Sequence, residues 1–105
     1  MCLEHYSVEK LKKEILSILE KHRELKGCRV FLFGSRIDGS GTERSDIDLG
    51  LEGQRVIPLN VLRKVKEELD KIPILYKIDI VDFQDVSNDF REIALKVIEP
   101  IGIII

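Results

Sequence analysis

The sequence predicts a small α/β protein: a mixed β-sheet of at least three strands flanked by helices, in the order α-β-α/loop-β-α-β-α. Stretches whose apolar residues recur at helical spacing alternate with short apolar runs of strand length. Glycine and proline punctuate the boundaries between them. A chain of 105 residues can bury one core and is too short to divide, since cores rarely split below about 250 residues. Residues 1–105 are therefore expected to form one domain.

The elements follow in order. From Val8 to Lys26 the apolar positions Val8, Leu11, Ile15, Ile18, Leu19 and Leu25 recur at helical spacing, with Ser7 as N-cap and Gly27 as stop. Arg29-Val30-Phe31-Leu32-Phe33 is a short apolar run that reads as a buried strand. Gly34 to Ser45 reads as a loop, or a loop holding a short helix. Ile47, Leu49 and Leu51 alternate with Asp46, Asp48 and Gly50, the period of two of a half-buried strand. Leu59, Leu62, Val65, Leu69 and Ile72 form a second amphipathic helix between Pro58 and Pro73. A third strand is expected over Ile74 to Phe83, and a last helix carries Phe90, Ile93, Ala94, Val97 and Ile98 before Pro100. The tail from Ile101 to Ile105 is too apolar to stay in water: it is an added edge strand or part of a contact between subunits, making a homo-oligomer possible.

Composition excludes several classes. An apolar fraction of 44% and a charged fraction of 34% rule out a disordered tail and a membrane protein. There is no run of 18 apolar residues to cross a bilayer and no apolar signal segment behind Met1. A net charge of −2 argues against bulk duplex DNA binding, which needs a basic surface. Two cysteines, Cys2 and Cys28, make neither a disulfide framework nor a metal spacing. A reduced, cytoplasmic protein is expected, with Cys28 packed as a small hydrophobe.

The chemistry lies in carboxylates that interrupt strands. Aspartate is depleted in strands, yet Asp46 and Asp48 flank Ile47 and point to one face with Cβ atoms about 7 Å apart. Carboxylates this close repel unless a cation or proton lies between them. Oxygen donors of this kind suit Mg²⁺, which takes one or two carboxylates plus substrate phosphates. Read as a plain strand, Asp46-Ile47-Asp48 is only a polar edge. Asp79, between Ile78 and Ile80, is a second interruption, while Asp82 falls on the opposite strand face. If the two strands are neighbours, Asp46, Asp48 and one of Asp79 or Asp82 converge, and Asp79 is the better third group. Phe33-Gly34-Ser35-Arg36 adds a corner where backbone N–H groups and a hydroxyl can approach a phosphate. As an ordinary turn, the same corner needs Gly34 only for positive φ. Two other motifs fail: Ser40-Gly41 stands where a P-loop needs Lys-Ser/Thr, and Ile57 stands where an EF-hand loop needs Glu.

Taken together, the apolar strand ending in Gly34-Ser35-Arg36, nine spacer residues, and Asp46-Ile47-Asp48-Leu49 resemble the signature of the DNA polymerase beta-like nucleotidyltransferases, in particular the minimal nucleotidyltransferases. The resemblance implies a palm-like nucleotidyltransferase fold. It further implies that Gly34, Ser35, Arg36 and Ser45 contact the nucleotide, ATP. By the same resemblance Asp46, Asp48 and Asp79 bind two Mg²⁺ ions and catalyse transfer of a nucleoside monophosphate to a hydroxyl. Members of this kind pair with all-helical HEPN proteins. That implies an antitoxin that transfers AMP to a tyrosine of a HEPN toxin. The competing expectation is an antitoxin that neutralises its partner by contact alone.

Overall fold

A computed structural model describes residues 6–34, 37 and 46–105. Helix α1 covers Val8–Leu19, and the Ser7 hydroxyl accepts the Lys10 amide at 3.3 Å. Its inner positions Leu11, Ile15 and Leu19 are fully buried. The helix stops short of the expected Lys26 because the next inward position is His22. The chain leaves the helix at Glu20, and one 3₁₀ turn, Arg23–Leu25, returns Leu25 to the core. His22 itself bonds the Glu68 carboxylate on the second helix through Nε2.

Four strands follow: β1 (Arg29–Phe33), β2 (Ile47–Glu52), β3 (Ile78–Asp82) and β4 (Glu99–Ile103). Helix α2 (Leu59–Leu69) lies between β2 and β3 in the chain, and α3 (Asn88–Ala94) between β3 and β4. The sheet order is β3-β2-β1-β4. Strand β1 runs antiparallel to β2 and β4, while β2 and β3 are parallel, as a crossover through a helix allows. The tail is therefore the second edge strand. Gly27 N donates to Ile104 O at 2.6 Å, and Ile104 N donates to Cys28 O at 2.9 Å.

Other boundaries also differ from the sequence reading. The third strand begins at Ile78, because Ile74 N turns back onto Ile72 O at 2.8 Å and the chain straightens only afterwards. The second helix ends at Leu69, with Ile72 buried in the turn beyond it. The last helix begins at Asn88, where the Ser87 hydroxyl accepts the Phe90 amide at 3.1 Å, and stops at Ala94, short of the expected Val97 and Ile98.

Strand alternation divides the core in two. Val30, Leu32, Ile47, Leu49, Leu51 and Ile78 pack with the buried residues of α1 and α2. On the other face Phe31, Phe33 and Phe83 form a separate aromatic cluster beside α3, with Phe83 edge-on to Phe31 at 4.9 Å and to Phe33 at 5.0 Å. Gly50 lies beneath Phe31 and Phe83, where a Cβ would overlap both rings. Glu52 then ties this face together by pairing with Arg29 at 2.7 Å and with Arg91 of α3. The aromatic face is also the face of Asp48 and Asp79.

Candidate functional site

Parallel pairing brings the predicted carboxylates together. Asp48 stands directly opposite Asp79 in the β2–β3 register, and adjacent strands lie about 4.8 Å apart. Both side chains point to the same face, because they are partners across a ladder. Asp46, exposed at the approach to β2, shares that face by its spacing of two from Asp48. The consequence appears in the ionisation of the central group. The Asp48 carboxyl is pushed above the ordinary range, first by burial and then by the negative charges of Asp79 and Asp46. Repulsion of this kind marks a place built to receive positive charge.

Gly34 closes the site from the side of β1. Phe33 pairs with Asp48 in the β1–β2 register, so the residue after it emerges beside the carboxylates. Gly34 has φ +87°, and its Cα faces the Asp48 carboxylate so closely that a Cβ would overlap Oδ2. Ile37 N then donates to Gly34 O at 3.0 Å, which turns the chain over the strand end. Ser35, Arg36, Arg44 and Ser45 lie outside the described residues.

The second candidate for the third carboxylate goes elsewhere. Asp82 is buried on the helix face, where it accepts Ile57 N at 2.7 Å and Gln84 N at 2.9 Å. It fixes the loop that leads into α2. Sequence reasoning missed Lys77, whose ammonium stands 3.7 Å from Asp79 Oδ1. The same period of two that joins Asp46 to Asp48 puts residues 77 and 79 on one face and could have found it. A cavity of about 440 Å³ lined by Arg23, Lys26, Cys28 and Arg55 opens at the opposite end of the strands, away from these carboxylates.

The donors present fit Mg²⁺. They are all carboxylate oxygens, and a cation would offset both the burial and the neighbouring negative charges that raise Asp48. Among the described residues no group of three or more acidic, histidine or cysteine side chains is placed to hold a metal ion by itself. A magnesium site that draws its remaining ligands from phosphates and water needs none.

Comparison with known proteins agrees with this geometry. The family model described as polymerase beta, nucleotidyltransferase, matches residues 13–101. A Haemophilus influenzae protein named "Probable protein adenylyltransferase MntA" is 32% identical over 68 residues, which cover 65% of this chain and 60% of that protein. The chain thus spans less than two thirds of that relative. A solved structure of a minimal nucleotidyltransferase superposes with a TM-score of 0.68 at 26% identity, over 92% of this chain and 98% of the other. Two more share the fold at lower identity. One is from a toxin–antitoxin crystal structure with AMP-PNP, with a TM-score of 0.69 and 18% identity, covering 86% of this chain and 71% of that one. The other is from a tri-AMPylated Shewanella oneidensis HEPN toxin in complex with MNT antitoxin, with a TM-score of 0.67 and 16% identity, covering 89% and 70%. The mixed sheet with flanking helices is the minimal nucleotidyltransferase fold.

Proposed function

Because the chain belongs to the polymerase beta nucleotidyltransferase family, we propose that it transfers AMP from ATP to a hydroxyl group on a protein acceptor. The observation that carries this reading is the in-register pair Asp48–Asp79 with Gly34 lodged against it. Asp46, Asp48 and Asp79 would hold two Mg²⁺ ions. When bound, the ions supply charge stabilisation to the attacking and leaving oxygens of an in-line displacement.

The chain's own residues do the rest. Gly34, lacking a side chain, leaves its backbone open to the β- and γ-phosphates, and Ser35 would add a hydroxyl donor to them. Arg36 neutralises triphosphate charge, and Ser45 lies at the approach to Asp46. Asp79 orients the acceptor hydroxyl and takes its proton. The acceptor oxygen forms a bond to the α-phosphorus as the bond to the β-phosphate oxygen breaks, so pyrophosphate leaves with that electron pair.

The names of the similar proteins support a HEPN-type toxin as the acceptor, with this chain as its antitoxin; a tyrosine hydroxyl is the proposed target on it. The buried free thiol of Cys28 suits a reducing cytoplasm. Exposed Ile103 and Ile105 beside the β4 edge support self-association through the tail. A second reading, neutralisation by contact alone, draws on exposed Phe90 and Ile93 of α3 and on Val97 just past it.

Calorimetric titration with Mg²⁺ and ATP, followed by label transfer from ATP to the partner, tests the reading. Transfer is expected with the unaltered chain and not with Asp46→Asn/Asp48→Asn. Transfer by that variant would refute it. Suppression of the partner's activity by the same variant would establish the contact reading instead.

A further inference from the structure

The parallel ladder leaves a specific part of the β3 edge open. Ile47 N donates to Lys77 O at 2.8 Å and Phe83 N donates to Leu51 O at 2.8 Å. With the register fixed, Asp79 and Val81 bond to β2, and the N–H and C=O groups of Ile78, Ile80 and Asp82 face outward. Both ends of this edge are closed: Lys66 Nζ donates to Ile78 O, and Asp85 N donates to Asp82 O at 3.0 Å. Between them the amide and carbonyl of Ile80 face away from β2, with no partner among the described residues. Beside Ile80 runs a groove of about 320 Å³, lined by Leu59, Leu62, Arg63, Lys66, Asp79 and Ile80. It joins an apolar floor to the carboxylate proposed to receive the acceptor's proton. Lys66 is engaged with Asp70 and Ile78, whereas Arg63 stands exposed at the rim.

We propose that the acceptor protein presents its hydroxyl on an extended segment that adds to the edge of β3 at Ile80, an inference that rests on the nucleotidyl-transfer reading. Only an extended backbone satisfies an outward N–H and C=O on one residue, by exchanging both bonds with the residue opposite. That opposite residue shares the face of Ile80, so its side chain enters the groove and must be apolar to cover Leu59 and Leu62. Its neighbours in the segment reverse face. One of them therefore stands on the side of Asp79 and Asp48, about one strand spacing (roughly 5 Å) beyond Asp79. The segment thus reads as an apolar anchor next to a hydroxyl residue, with an acidic residue nearby to meet Arg63.

The test uses the full ¹⁵N-labelled chain and a blocked peptide of sequence Glu-Val-Tyr-Val-Glu, beside the same peptide methylated on its backbone nitrogens. In the absence of nucleotide, the first peptide is expected to shift the Ile80 and Asp82 amides and to slow hydrogen exchange at Ile80. The methylated peptide is expected to bind at least tenfold more weakly. Leu59→Glu, at a residue 75% exposed, is expected to raise the peptide's Kd at least tenfold with the Kd for ATP and Mg²⁺ unchanged. Equal binding of the methylated peptide, shifts centred on α3, or no binding at millimolar peptide would overturn the edge site. Edge binding without label transfer from ATP would support the site and overturn the transfer reading, so the two failures are separable.

Discussion

Two glycines share one backbone conformation and differ in surroundings, which allows the close approach of Gly34 to Asp48 to be measured. Gly27 and Gly34 both have φ +87°, but a Cβ on Gly27 meets nothing within 4 Å, whereas one on Gly34 overlaps Asp48 Oδ2. Gly27→Ala carries only the strain of a left-handed conformation, about 1–2 kcal/mol. Gly34→Ala carries the same strain plus the displacement of a half-buried carboxylate, about 1–3 kcal/mol more on the scale of overpacked sites. Urea unfolding at 25 °C is expected to show Gly34→Ala as the less stable variant by that margin, with both m-values unchanged. Adding Asp48→Ala should remove the excess in Gly34→Ala, because the colliding oxygen is gone, and should leave the effect of Gly27→Ala as it was. Equal losses at the two glycines, or an excess that survives Asp48→Ala, would refute the claim that Gly34 is required to clear the carboxylate.

Other residues give sharper contrasts of role. Asp82→Ala strands the buried Ile57 amide and is expected to destabilise by about 1–3 kcal/mol while leaving ATP and Mg²⁺ binding intact; Asp79→Ala is expected to do the reverse, by calorimetry and urea unfolding. Asp48→Asn should raise the melting temperature at pH 7 without metal. A carboxyl whose folded pKa is raised favours folding below its unfolded value near 3.8 and loses that contribution as pH rises through the folded value. The gain over wild type should therefore fade as the pH is lowered toward 3, and a gain that persists there would contradict the repulsion argument. Burial, and then the Asp82 charge, push the Cys28 thiol up. Iodoacetamide at pH 8 is expected to label it at least 100-fold more slowly in the native chain than in urea, read by mass spectrometry.

What the sequence made legible was what depends on local period. Strand alternation put Asp79 and Asp82 on opposite faces without deciding between them, and the faces agree: one carboxylate stands beside Asp48 and the other caps the Ile57 amide. Helix inner faces were legible wherever each inward position was apolar, and the prediction failed in α1 where His22 took one. The strand order was not legible. That β3 and β4 occupy opposite edges, with the tail antiparallel to β1, depends on pairings between distant segments that no window of residues contains. Gly50 was likewise unreadable, since its reason is the pair of rings brought over it from β1 and from the end of β3.

The two cores explain where the reactive carboxylates can stand. The aliphatic core under α1 and α2 accommodates one buried carboxylate, Asp82, and satisfies it with two backbone amides. The opposite face carries a short aromatic cluster and α3, a helix with no fully buried residue. Among the described residues, that face leaves the start of β2 and β3 uncovered. Asp46, Asp48 and Asp79 lie at that end, half-buried or exposed, where water moderates their repulsion. Phe90 of α3 already meets the Phe33 ring at 6.2 Å, and a longer helix would desolvate the same three charges. The short helix and the exposed carboxylates therefore go together: among the described residues, the candidate site stays open at this end of the sheet.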